Sequence, residues 1–268
     1  MIIHFWALEA EQGSYSTKSS SESSYPDSKQ YLQSAFEQTK DAVGEWLGTT
    51  TASGALIHST PSAASRPVLH VTQLGDSQIL VIRPRNKEII FKTQEQYHWF
   101  ACPRQLGTNS PDTPDEHAVL DKVVIEENDI VLAMTDGVSD NLWEHEVVDS
   151  VIQSLRDAET LYDDQDDLFA KEMKHVATEL VKAAMLVAQD PDAQCPYMER
   201  ALDEGKLITR VQKNSTHAKS IKVYQLLEVN LTTLASWRQS VVPAETCTLS
   251  FEYPSRSNEL TTATSQSS

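Results

Sequence analysis

"DIVLAMTDGVSDNLW", residues 129–143, is the stretch on which the fold turns. Ile130 to Met134 form an apolar run of strand length that ends in Thr135-Asp136-Gly137, a turn that brings a carboxylate to the strand's end. Beyond Asp140 and Asn141, the residues Leu142, Val147, Val148, Val151, Ile152 and Leu155 recur at the three- and four-residue spacing of an amphipathic helix. Strand, acidic turn and helix therefore follow one another without a break. Two readings of the turn stay open at this point. An Asp at a strand end, next to a glycine that lets the backbone come close, can hold a hard divalent cation or its water. The same residues also make a plain turn in which Asp140 or Asn141 caps the helix.

Upstream, "VLHVTQLGDSQILVIRPRNKEIIFKT", residues 68–93, reads as two or three antiparallel strands. Gly75-Asp76-Ser77 is the turn between the first two, an ordinary hairpin signal when taken alone, and "PRNKE" is a second hairpin connection. "TTTASGALIHS", residues 49–59, is a strand whose Gly54 implies close packing. "DSKQYLQSAFEQTKDAVGEWLG", residues 27–48, predicts one helix with Tyr31, Leu32, Ala35, Phe36, Val43 and Leu47 on one face, capped by Asp27 or Ser28 and closed by Gly48. Ahead of it, the Ser-rich stretch 14–28 reads as an exposed loop.

Downstream, residues 95–120 have the Pro and Asp punctuation of an irregular surface region. Residues 121–137 read as two strands joined by the acidic "EEND" turn. After the helix, "DDQDD" is a solvated linker, and residues 168–190 predict a second long helix stopped by Pro191. From Gly205 onward the pattern weakens. "SIKVYQLLEVNL" alternates poorly, "TCTLSFEY" alternates well, and the last residues are polar and expected to be disordered.

The chain has 268 residues, 40% of them hydrophobic, enough for a sizeable core. Its formal charge of −17 argues against nucleic-acid binding, which normally needs a basic face, and is compatible with cation binding. Cys102, Cys195 and Cys247 share no CxxC spacing, which fits a reduced, intracellular chain with buried thiols. No stretch approaches the roughly 18 apolar residues of a membrane span, so the chain is expected not to be membrane-embedded. "MIIHFWALEAEQGS" lacks the basic region of a secretion signal and the arginines of a transit peptide.

The order of these pieces resembles the metal-dependent protein phosphatases of the PPM class (type 2C), and within them a divergent branch that includes mitochondrial phosphatases. "GTTTASGAL" (48–56) is similar to that branch's small-residue "GGSTA" strand, "LGDS" (74–77) to its GDS turn, and "PRQLG" (103–107) to the segment that follows. "LAMTDGVSDN" (132–141) is similar to "LATDGLxDN", and the later helix with "DPDAQCPYMERALDEG" (190–205) completes a match over residues 35–205. The resemblance implies an α+β fold, a β-sandwich with helices on both outer faces (α-β-β-α), incomplete in this chain. It divides the chain into an irregular or disordered N-terminus (1–28), a partial phosphatase domain (29–205) and a divergent C-terminal segment with a disordered tail (206–268).

The resemblance also implies a pair of Mg²⁺ or Mn²⁺ ions at one edge of the sandwich. There they activate a water and neutralise the phosphoryl oxygens of a Ser/Thr phosphoprotein. By the same resemblance Asp136, with Gly137 beside it, matches the metal-binding Asp of the DG motif. Asp76 matches the GDS Asp, which helps hold an additional, weaker metal, and Asp140 stands behind these ions or at an outer one. A catalytically inactive relative that keeps the fold to bind a protein partner is the alternative. The branch suggests mitochondria.

Two parts of the family's ligand set have no counterpart. No DGxGG turn precedes Ser34, where the only glycine is Gly13, and no acid occurs between Lys206 and Glu228 to match the closing Asp-Asp pair. A truncated or mis-spliced gene product, an inactive relative, or substitution by distant acids such as Glu9, Glu11 or Glu245 would each account for this, and the first is the expected origin. His98 and His117 are candidate general acids, although a lone loop histidine is more often only that. Arg104 has a fork suited to phosphate but is not carried over by the resemblance. Trp99 and Trp143 are expected to serve packing, and Cys102 to be a structural thiol.

Overall fold

The computed structural model describes residues 2–16, 27–43, 48–58, 66–161, 168–190, 192–205, 223–228 and 247–250. The chain opens with helices α1 (Ile2–Ser16) and α2 (Ser28–Val43), then strands β1 (Thr49–Thr50), β2 (Ala52–His58), β3 (Val68–Leu74), β4 (Gln78–Arg83) and β5 (Glu88–Lys92). Short pieces follow: β6 (Tyr97–Trp99), β7 (Cys102–Pro103), β8 (Leu106–Gly107) and α3 (Pro114–His117). Then come β9 (Val119–Val124), β10 (Ile130–Met134), α4 (Asp136–Ser139), α5 (Glu144–Leu161), α6 (Leu168–Gln189), α7 (Pro196–Asp203), β11 (Val223–Glu228) and β12 (Cys247–Ser250).

Two four-stranded antiparallel sheets, ordered β12-β2-β3-β9 and β11-β10-β4-β5, carry the fold. Alternation along β4 and β10 explains the layering, because successive side chains leave opposite faces of a strand. Ile79, Val81, Val131 and Ala133 meet Leu69 and Val71 of β3 between the sheets. Leu80, Ile82, Ile130, Leu132 and Met134 face the other way, onto Val147, Val151, Val176 and Leu180 of α5 and α6. On the far side, Trp6 of α1 and Leu32, Ala35 and Phe36 of α2 cover Ala52 and Leu74. The result is helices, sheet, sheet, helices, the α+β sandwich that the motif order implies.

Both turns read as simple connections cross from one sheet to the other. Gly75–Ser77 links β3 to β4, and the "EEND" turn links β9 to β10, each time between different sheets. Turn chemistry alone does not separate a hairpin from a crossing. The burial of β4 and β10 on both faces does, since such strands need cover on two sides.

Two further expectations are corrected. The N-terminus, read as irregular over residues 1–28, is helical over Ile2–Ser16. Ile2, Trp6 and Ala10, four residues apart, form a buried stripe against α2 and β2 that outweighs the polar serines beyond it. Within the segment 206–268, the described residues give each sheet an edge strand, β11 on β10 and β12 on β2. The helix expected to be capped by Asp140 or Asn141 starts instead at Glu144, where Glu146 reaches back and its Oε2 accepts from the Trp143 amide at 2.9 Å. At α2, Asp27 does act as the cap, accepting from the Gln30 amide at 3.1 Å. Residues 44–47, 163–167 and the final tail lie outside the described residues.

The EEND turn is held by charge. Asp129, only 1% exposed, accepts both Arg83 Nε at 2.8 Å and Arg83 Nη2 at 2.7 Å, and also the Glu126 amide at 2.8 Å. A bidentate guanidinium–carboxylate pair of this kind ties β4 to the start of β10. Replacing Arg83 by Met leaves Asp129 buried with one donor, and is expected to cost about 2 kcal/mol in urea denaturation.

Candidate functional site

The pairing of β4 with β10 brings the two acidic turns together. Met134 sits opposite Gln78, so the residues leaving β10 run beside those entering β4 in the antiparallel ladder. Asp136 thereby comes alongside Asp76, some sixty positions earlier in the chain.

The turn before Asp76 needs its glycine. Gly75 has φ 107, and a Cβ there would come within 2.5 Å of Thr51 Cγ2 and 2.8 Å of the Arg104 carbonyl. Gln96 clasps the same residue, accepting from its amide and donating to its carbonyl, both at 2.9 Å. Thr51 and Ser77 share a hydroxyl hydrogen bond at 2.9 Å. Asp76 is thus held, 7% exposed, at the end of the sandwich. On the β10 side, Asn141 Nδ2 donates to the Gly137 carbonyl at 2.8 Å and closes the α4 turn.

Two groups that the motifs do not reveal complete this rim. Glu95 accepts from Gln78 Nε2 at 2.6 Å and from the Tyr97 hydroxyl at 3.1 Å. Arg200 of α7 pairs with Glu95 at 3.3 Å and with Asp140. The Tyr197 amide donates to the Asp140 carbonyl at 3.0 Å, fixing α7 to the rim.

Crowded carboxylates resist ionisation. Burial, and then the charges of Asp136, Asp140 and Glu95, push the Asp76 carboxyl up to about 8. Burial does the same to Asp140, up to about 7, with Arg200 working against it and Asp136 and Glu95 adding to it. Burial also raises the Tyr97 phenol, with Glu95 and Asp76 contributing. A rim that carries more negative charge than its surroundings tolerate favours a bound cation.

The other candidates gather elsewhere. His98 Nε2 meets Asp112 Oδ2 at 2.9 Å and Arg104 Nη1 donates to Asp112 Oδ1 at 2.8 Å, while Asp112 is 1% exposed. His117 Nδ1 stands 3.7 Å from Asp112 and accepts the Thr113 amide at 3.2 Å. Burial raises the Asp112 carboxyl, but hydrogen bonds from the Gln105 amide, His98 and Arg104 together hold it below the usual range. Arg104 therefore braces a loop. Trp99, expected to pack, is 69% exposed. Cys102 is half-buried and Cys195 buried. Glu9 is engaged with Gln38 at 2.6 Å in the α1–α2 layer, and Glu245 lies outside the described residues.

Among the described residues, no group of three or more His, Cys, Asp or Glu side chains is placed to hold a metal ion. Asp140 and Glu95 are paired with Arg200, and Asp76 and Asp136 stand side by side on the two turns. These residues do not fit a two-metal centre. Two carboxylates are the number that a hard divalent cation keeping several of its waters takes from a protein.

No family model matches the chain. It is similar to protein phosphatase PTC7 homolog fig of Drosophila persimilis, 26% identical over 185 residues that cover 65% of this chain and 51% of that protein. It is 30% identical over 146 residues to protein phosphatase PTC7 homolog of Danio rerio, covering 51% of this chain and 44% of that one. The chain is a homologue of protein phosphatases named PTC7 and 2C. It spans about half the length of these curated relatives. The X-ray structure of the photosystem II phosphatase PBCP shares its fold, with a TM-score of 0.54 at 20% identity over 84% of this chain and 79% of that chain. In this PPM frame the rim lies where strand ends of a layered sandwich converge. No helix among the described residues is long and apolar enough to cross a membrane.

Proposed function

We propose that the chain hydrolyses Ser/Thr phosphomonoesters of phosphoproteins with the help of Mg²⁺ or Mn²⁺. Asp76 and Asp136 hold the cation, Gly137 lets the turn approach it, and Asp140 stands at the outer side. The observation that carries this reading is the convergence of Asp76 and Asp136 across the β4–β10 ladder, in a rim whose charge calls for a cation. When bound, such an ion supplies the positive charge that acidifies a water and offsets the phosphoryl oxygens. The residues of the chain position it: the β4–β10 register sets the spacing of the two acids, and Gly75 keeps the Asp76 turn tight. A mitochondrial address belongs to the same proposal and rests on the branch that the motifs resemble.

The test is phosphate release from a phosphoserine peptide with and without Mn²⁺. Turnover is expected only with Mn²⁺, and Asp136→Ala is expected to lower it at least about a hundredfold. A second reading, an inactive relative that binds a protein partner, is favoured by the Arg200 pairing of two of the four acids. A folded chain with no Mn²⁺-dependent turnover on any phosphopeptide would replace the first reading by the second.

A further inference from the structure

The rim already contains a cation. Arg200 Nη2 donates to Asp140 Oδ1, and Nη1 donates to Glu95 Oε2 at 3.3 Å. The two acids come from separate segments, Glu95 from the stretch after β5 and Asp140 from the end of the α4 turn. One guanidinium fork therefore joins them in a way a lysine ammonium, a point charge, reproduces poorly. The arginine is not a loose surface side chain. Its helix is anchored by the Tyr197 amide on the Asp140 carbonyl at 3.0 Å, by the buried Ala201, and by the Tyr197 ring against Phe100 at 5.6 Å between centroids.

We propose that Arg200 is the built-in countercharge of the rim, occupying by charge and hydrogen bonding the place that a second divalent ion would take. The rim then takes at most one divalent ion. Carboxylate oxygens engaged by a guanidinium are not open to a hard cation, and a dication brought beside that guanidinium meets a like charge. The inference rests on the proposed function only in that the rim takes a divalent cation.

Calorimetric titration of the full chain with Mn²⁺ tests it, with Mn²⁺ electron paramagnetic resonance to separate isolated ions from coupled pairs. The wild type is expected to bind no more than one Mn²⁺, with the spectrum of an isolated ion. Arg200→Gln is expected to bind Mn²⁺ at least about tenfold more tightly, or to take up a second ion with a coupled-pair spectrum. Arg200→Lys, which keeps the charge and loses the fork, is expected to fall between the two, and carries the test if Arg200→Gln does not fold. Two coupled ions in the wild type, or variants that bind Mn²⁺ no better than the wild type, would overturn the proposal. Binding as expected without phosphate release would sink the phosphatase reading and leave Arg200's role standing.

Discussion

Replacing Trp6 by alanine is expected to destabilise the protein by about 3–5 kcal/mol, the range for removing a large buried aromatic ring. Trp6 is 3% exposed and packs with Leu32, Phe36, Ala52, Leu74 and Leu106. Its ring lies on the backbone of β2, where a Cβ added at Gly54 would come within 2.7 Å of Cη2. Alanine at position 6 would open a cavity between α1, α2 and the sheet, because three elements share the ring and none can follow it inward. Gly54→Ala alone forces the ring aside. Combined with Trp6→Ala its cost is expected to shrink, a non-additivity that a double-mutant cycle in urea reads directly. Were α1 a solvated tail, Trp6→Ala would change stability by less than about 0.5 kcal/mol, as surface substitutions do. That result would remove α1 from the fold.

What could be read in advance follows from how local each signal is. The helices α5 and α6 and the strands β4 and β10 were legible because their apolar spacing is set within a few residues. The layered sandwich was legible through the order of the GDS, PRQLG and TDG turns, a pattern spread over the chain. The stripe Ile2, Trp6 and Ala10 was present in the letters, but three apolar positions next to a serine-rich run make a weak pattern. Only β2 and α2, folded beneath it, give it something to bury. The sheet crossings at Gly75–Ser77 and at the EEND turn were hidden for a different reason. A Gly-Asp turn satisfies the backbone equally well whether its strands pair with each other or with partners in separate sheets.

The rim divides along the same line. Asp76, Asp136 and Asp140 were marked by their turns. Glu95 and Arg200, 105 positions apart, carry no mutual spacing that a sequence pattern could show, and they meet only because α7 is docked on the Asp140 carbonyl. This long-range pairing changes the chemistry. It sets one fixed positive charge against two of the rim's four acids.

With metal chelated, the stability of the wild type is expected to fall as pH rises from 5 to 8, and Asp76→Asn to remove most of that fall. The Asp76 carboxyl titrates at about 8 in the folded chain, against an ordinary value of 3.8. Between those values the folded state keeps a proton that the unfolded state has released, so raising the pH favours unfolding. The slope approaches about 1.4 kcal/mol per pH unit, which puts the loss by pH 8 on the order of 4 kcal/mol. Asp140, raised to about 7, acts in the same direction. Asparagine cannot ionise, so Asp76→Asn is expected to match the wild type near pH 5 and to exceed it by several kcal/mol at pH 8 in urea denaturation, roughly the integrated slope. Excess Mn²⁺ is expected to restore the wild type at pH 8, because an ion that binds only the folded chain adds to its stability. It is expected to do much less for Asp76→Asn, which lacks one of the two carboxylates. If both proteins are equally flat from pH 5 to 8 without metal, Asp76 is not confined among like charges, and the proposed cation loses its physical reason.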